Sequence, residues 1–156
     1  VYRISAQTTI RANAADVWRI VTDVNDWPSW DPHEEAARLD GEFVVGATGW
    51  SKPHGGPGTQ WTITEVTEGR RWASECPLPG GKLAGGNEFT DLGDGTVRCT
   101  KTVEVYGPLV PLFRIWFGRR IRADMVRTFA ALEAQAGLET RETQAARGAQ
   151  AARVVA

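Results

Sequence analysis

The chain has 156 residues, 42% hydrophobic and 24% charged, and 18 basic against 19 acidic side chains leave a net charge of −1. That profile describes one globular domain, able to bury roughly two thirds of its unfolded surface without disulfides or a structural metal. The charge balance argues against a nucleic-acid partner, no apolar run approaches the roughly 20 residues of a membrane span, and no signal-peptide core is visible, so a cytoplasmic protein is the expectation.

Residues Tyr2 to Ile10 alternate between apolar or small and polar side chains, which predicts a strand with one buried face. Asn13 and Asp16 then resemble an N-cap with an acid in the first turn, and Val17, Trp18, Ile20, Val21 and Val24 recur at helical spacing. The stretch Asn25 to Pro32 has room for one further turn or two before Pro32 ends it. Strands are expected near 33–40, 43–52, 59–67, 70–76, 83–92 and 96–106, with connections short enough for antiparallel hairpins. Gly46, Gly49, Gly85 and Gly86 within them suggest bulges or bends. From Leu109 to about Ala136 the pattern is helical, roughly 40 Å long. Residues 139–156 lack an apolar stripe and read as a helical extension or flexible tail beyond a single domain of residues 1–138. The sum is an α+β fold, strand, two helices, six strands, helix, in which a curved seven-stranded antiparallel sheet wraps around the long C-terminal helix.

Seven Trp and eight Pro are high for this length. In a meander the connections alternate between the two ends of the sheet. Asp40-Gly41, Glu68-Gly69-Arg70 and Gly93-Asp94-Gly95 are compact turns at one end; every proline falls in the four segments assigned to the other, 25–32, 53–58, 77–81 and 107–111. Proline and glycine together predict a non-repetitive, preshaped rim, the position at which curved sheets carry pockets.

Strand parity turns Trp61, Ile63, Trp72, Ser74, Cys76, Asn87, Phe89, Val97, Cys99, Val103 and Val105 to the interior, and Lys101 with them. A lysine in an apolar row either snorkels to the rim or is a pocket cation for an acidic or carbonyl ligand. Trp27, Trp30, Trp50 and Trp61 serve either as core plugs or as rings that stack on a flat ligand. Cys76 and Cys99 form no CxxC pair and read as small packing residues. His33 and His54, the only histidines, sit near one rim with Asp31, Glu34 and Glu35 close in sequence. Known hydrolase, zinc-protease, phosphate-loop and dinucleotide motifs are missing, so neither a metal nor a cofactor is expected. In the terminal helix Phe117, Ile121, Met125, Phe129, Leu132 and Ala136 form one stripe, while Leu109, Leu112, Phe113 and Trp116 centre on another side. Either the helix kinks near Gly118 or a separate short helix precedes it, or its first turns expose an apolar patch for a second copy in a homodimer or for a membrane surface.

Ala14-Ala15-Asp16-Val17-Trp18, followed by Asp23 to Pro32, resembles the N-terminal signature of the START-like (SRPBCC) superfamily, which contains the polyketide cyclases/dehydrases. Gly41 to Gly46, Thr62 to Val66 running to Gly69-Arg70-Arg71-Trp72, and Asp94 to Val97 before Tyr106-Gly107-Pro108-Leu109 are in register with it, so that the resemblance covers residues 2–137. It implies a helix-grip fold with a cavity between sheet and terminal helix, in a group whose members bind lipids, sterols, plant hormones, quinones or polyketides. No residue matches a diagnostic catalytic motif of the cyclase branch.

The leading expectation is a binder of a small hydrophobic ligand held by Trp30, Trp50, Trp61, Trp72, Phe89, Lys101, Val103, Phe117, Ile121 and Met125. A cyclase/dehydratase-like enzyme, with His54 as acid or base and Lys101 polarising a carbonyl, is the alternative; it requires both side chains in one cavity. An interaction module built on the patch around Trp116 is a third.

Overall fold

A computed structural model describes residues 1–155. Strand β1 (Tyr2–Arg11) alternates as its sequence predicts, burying Ile4 and Ile10. Helix α1 (Ala14–Thr22) starts at Asn13, whose side chain accepts from the Ala15 amide at 2.9 Å, and buries Val17, Ile20 and Val21. A 3₁₀ turn (Val24–Asp26) leads into the short α2 (Trp27–Trp30). Six strands follow: β2 (Glu34–Leu39), β3 (Thr48–Pro53), β4 (Thr59–Thr67), β5 (Arg71–Leu78), β6 (Gly81–Asp91) and β7 (Thr96–Tyr106). All pair antiparallel in the order β1-β7-β6-β5-β4-β3-β2, a curved seven-stranded sheet with α1, α2 and the terminal helix on its inner face. Apart from Pro28, in α2, every proline lies at the end of the sheet where β2 begins and β7 stops.

Three departures from the sequence reading have local causes. Residues 43–47 do not extend β3. Gly46 adopts a left-handed backbone (φ 90°), and Phe43 turns inward edge-on to Trp72 at 5.3 Å, so the strand begins only at Thr48. The bulges fall at Glu34–Ala36 and Ile63–Glu65 rather than at glycines. The glycines supply room instead: a Cβ on Gly49 would collide with the Trp61 indole, and Gly85 and Gly86 pair regularly with Ser74 and Ala73. Finally, the irregularity of the terminal segment lies just before Gly118, whose own backbone is helical (φ −58°, ψ −42°). The offset between the two apolar stripes comes from a π-helical turn, Phe113–Phe117, between α3 (Val110–Leu112) and α4 (Gly118–Val155). Gly118 is helical, and its role is close approach, because the Tyr2 hydroxyl occupies the space of a Cβ.

Helix α4 continues through Val155, well past its last buried residue, Ala136. Its Ala-, Arg-, Gln- and Glu-rich end is made of good helix formers, which sustain the helix beyond the packed body.

The core forms three apolar groups. One, around Ile10, Val17, Val97, Cys99, Phe129, Leu132 and Ala136, fills the end of compact turns. The second gathers Ile4, Val103, Val105 and Met125, and the third Val24, Leu39, Trp61 and Ile63. Between these groups, beneath α4, the sheet is hollow.

Candidate functional site: a half-apolar cavity

The hollow is a cavity of about 270 Å³ bounded by all three groups. Its walls are aromatic and aliphatic: Trp27, Trp30, Trp61, Trp72, Phe89, Leu83, Val103, Ile121 and Met125. Trp27 stacks on Trp61 with ring centroids 5.7 Å apart and 19° between planes, while its Nε1–H donates to the Val21 carbonyl at 3.1 Å. Trp27 is thus both plug and wall, and the two roles considered for the tryptophans are not exclusive.

One corner is polar. Asp31, 7% exposed, accepts from the His33 amide and the Thr128 hydroxyl, each at 2.9 Å, and so ties the start of β2 to α4. His33 Nδ1 stands 3.5 Å from Asp124 Oδ2. Burial, followed by the positive charge of Lys101, lowers the His33 pKa below its ordinary value, so the imidazole is neutral in neutral water. Glu34 is the most perturbed of the group. Burial pushes its carboxyl up to about 7 against the opposing pull of Lys101. Lys101 reaches the same corner from β7, in register with Asn87 of β6, which also lines the cavity.

A bulge decides which glutamate faces inward. With Leu39 and Ala37 turned to the core, unbroken alternation would aim Glu35 into the cavity. The extra residue between Glu34 and Ala36 shifts the register, so Glu35 points out to pair with Lys52 at 2.5 Å and Glu34 points in.

Among the described residues, three buried side-chain polar atoms lack a hydrogen-bond partner: Trp30 Nε1, Trp72 Nε1 and Glu34 Oε2. All three belong to residues that line the cavity. Buried polar groups are nearly always paired, and leaving one unpaired costs about 1–3 kcal/mol, a cost the walls of the hollow carry.

Of the residues expected to form the site, Trp30, Trp61, Trp72, Phe89, Lys101, Val103, Ile121 and Met125 come together around this cavity. Trp50 does not. Gly49 takes the inward position of β3 to make room for Trp61, which turns Trp50 to the outer face beneath the Arg38 guanidinium, 5.5 Å from the ring. Phe117 also lies outside it: the π turn rotates its ring toward Phe113, 5.4 Å away, and leaves it 39% exposed. His54 is exposed on the β3–β4 loop, where its carbonyl lies 3.5 Å from Arg120 Nη2, so the His54–Lys101 pair required for the expected catalysis is not assembled. His33, Glu34, Asp31, Asp124 and Thr128 occupy the corner instead. Among the described residues, no group of three His, Cys, Asp or Glu side chains is arranged to hold a metal ion. No helix of the described residues is long and apolar enough to cross a membrane.

The sequence profile of a family described as polyketide cyclase/dehydrase and lipid transport matches residues 2–140. No curated protein matches the chain. Among solved structures, a START superfamily protein from Mycobacterium smegmatis superposes with a TM-score of 0.68 at 14% identity, over 88% of this chain and 99% of that one. The Zhui aromatase/cyclase from a Streptomyces species gives 0.72 at 15% identity, over 87% and 93%. A hypothetical protein from Helicobacter pylori gives 0.74 at 9%, over 86% and 88%. At these identities the likeness is one of fold.

Proposed function

For a chain that belongs to the polyketide cyclase/dehydrase and lipid-transport family, we propose binding of a small, mainly apolar molecule, lipid-, quinone- or polyketide-like, with an oxygen-bearing group at one end. Its hydrocarbon or ring portion lies against Trp27, Trp61 and Phe89, and its oxygen meets the corner of Glu34 and Lys101. The observation that carries this reading is a hollow walled mainly by aromatic and aliphatic side chains with Glu34, His33 and Lys101 gathered at one corner. Lys101 is a donor there, and Glu34, protonated over part of the neutral range, offers another, so a carbonyl or hydroxyl oxygen is the complementary group. The volume sits at the lower edge of the roughly 300–1,000 Å³ usual for small-molecule sites, which favours a compact ligand.

Titration with a naphthoquinone and with a straight-chain fatty acid, read by tryptophan emission, tests the proposal, since the stacked indoles border the hollow. Gly85→Leu is the informative variant. Gly85 faces the cavity, and a Cβ there meets only Ser74 atoms, at 3.7 Å or beyond, so added bulk enters the hollow without strain. The expected result is saturable quenching by at least one probe, weakened at least about tenfold in Gly85→Leu with folding intact. Quenching unchanged by this variant, or none with either probe and no small molecule retained in native mass spectrometry, overturns the reading.

A second reading, a cyclase/dehydratase-like enzyme, draws on the polar corner around Glu34. A carboxyl titrating near 7 is suited to protonate the departing hydroxyl of a β-hydroxyketone, which leaves as water, while Lys101 polarises the carbonyl and the neutral His33 imidazole takes the α-proton as the C=C bond forms. Turnover of such a substrate that disappears in Glu34→Gln while binding persists would favour it.

A further inference from the structure

The surface that the cavity leaves unexplained is the start of the terminal helical segment. The π turn sets Leu112, Ile115, Trp116 and Phe117 outward, with Ile115 75% and Trp116 74% exposed. Bare side chains of this size at adjacent positions form an apolar patch rather than a scattered residue.

The charge around it is one-sided. From Pro108 to Ala123 the chain holds Arg114, Arg119, Arg120 and Arg122 and no acid, in a protein whose net charge is −1. All four arginines are exposed, and none of them forms an ion pair among the described residues. Two have neutral partners that hold the guanidinium without compensating it: Arg114 lies 5.8 Å from the centre of the Tyr2 ring, and Arg120 meets the His54 carbonyl.

An apolar patch set among uncompensated cations complements an anionic bilayer surface. There an indole lodges at headgroup level, aliphatic side chains enter the acyl boundary, and guanidinium groups meet phosphates. A second copy of the chain is a poorer complement, because a two-fold contact through this patch would bring each set of arginines toward its own image. Nucleic acid would use the arginines but leave Ile115 and Leu112 in water.

We infer that this face docks peripherally on membranes rich in anionic phospholipid, with Ile115 and Trp116 inserted and Arg114, Arg119 and Arg122 on the headgroups. Ile121, little more than a turn further along, lines the cavity, and Arg120 reaches from the helix to the β3–β4 loop at the rim. Docking therefore sets the rim beside the bilayer. The inference rests on the outer surface and stands or falls separately from the reading of the cavity.

Vesicle flotation of the full chain tests it, comparing phosphatidylcholine alone with phosphatidylcholine doped with phosphatidylglycerol. Binding to the anionic vesicles is expected to be at least about tenfold tighter and to weaken with salt. The double substitution Ile115→Ser, Trp116→Ser reduces it at least about tenfold, and Arg119→Gln and Arg122→Gln each roughly fivefold. These positions are exposed, so thermal melts of the variants should match the wild type. No binding to either vesicle overturns the inference, as does undiminished binding by the double-serine variant. So does a dimer in sedimentation velocity that dissolves in that variant while vesicles remain unbound, because a second copy would then cover the face.

Discussion

The two ends of the sheet share the same strands and the same helix, yet one is solid throughout, while toward the other the sheet hollows out before Ile4, Val105 and Met125 close it. Where compact turns join the strands, Ile10, Val17, Val97 and Leu132 are no more than 2% exposed and interlock beneath α4. Toward the proline-rich end the strands present Gly85, Ser74, Asn87 and Lys101 to the interior in place of large apolar side chains, and the helix offers Asp124 and Thr128. Small and polar residues substituted for bulk at facing positions are enough to open a cavity without changing the topology. Stability thus comes from the packed groups on either side, and the hollow between them is left to accommodate a guest.

Leu132→Ala should break the solid end most severely. The side chain is 1% exposed, and deleting buried methyl groups in a close-packed region costs about 2–5 kcal/mol, through lost transfer energy and the cavity left behind. At the hollow end Gly85→Leu adds volume and should shift stability by less than about 1 kcal/mol. Urea midpoints of the two variants measure the contrast; equal losses would mean that the ends are packed alike.

The next effect belongs to Glu34. Its carboxyl ordinarily titrates at 4.5 and in the fold at about 7, so across that window the folded chain retains a proton that the unfolded chain has lost. Stability therefore falls as pH rises from about 4.5 to 7 and levels off above, by up to about 3 kcal/mol at about 1.4 kcal/mol per pH unit. Glu34→Gln is neutral throughout and lacks this decline. Its advantage over the wild type should grow from mildly acidic to mildly basic buffer. A constant difference across that range would mean that Glu34 is not desolvated in the hollow.

The same division explains what could be read from residue order. Strand β4 spans the nine residues its alternation predicts, β7 matches its predicted span, and the inward row of Trp61, Trp72, Phe89 and Val103 follows from period two because those strands are regular where they matter. Parity fails where an extra residue or a neighbour's bulk intervenes. Glu34 rather than Glu35 faces inward because of a bulge whose position no residue type announces, and Trp50, expected at the site, faces outward because Trp61 claims the space over Gly49. His54 and His33 both follow prolines near one rim, but His54 rides an exposed loop while His33 leads into a strand under α4. The π turn was signalled only by its effect, the offset between two apolar stripes, which a kink at Gly118 would have explained equally well. Loops and helical irregularities are set by tertiary contacts such as Tyr2 against Gly118, and those are not written in local pattern.

The smallest expected effect concerns the far end of α4. Beyond Thr140 every described residue is exposed, and the last tie to the body is the ion pair of Glu139 with Arg19. A helix end without tertiary partners is held by propensity and i,i+4 pairing, terms of a few tenths of a kcal/mol per residue that approach balance against conformational entropy. Ending the chain after Thr140 should therefore remove helical circular dichroism while moving the urea midpoint by less than about 0.5 kcal/mol equivalent. The solid end of the sheet, with Phe129, Leu132 and Ala136 intact, carries the fold without the extension. A large loss of stability would mean that the extension packs on a second copy of the chain in solution, and the boundary between the body and its helical overhang would have to be redrawn there.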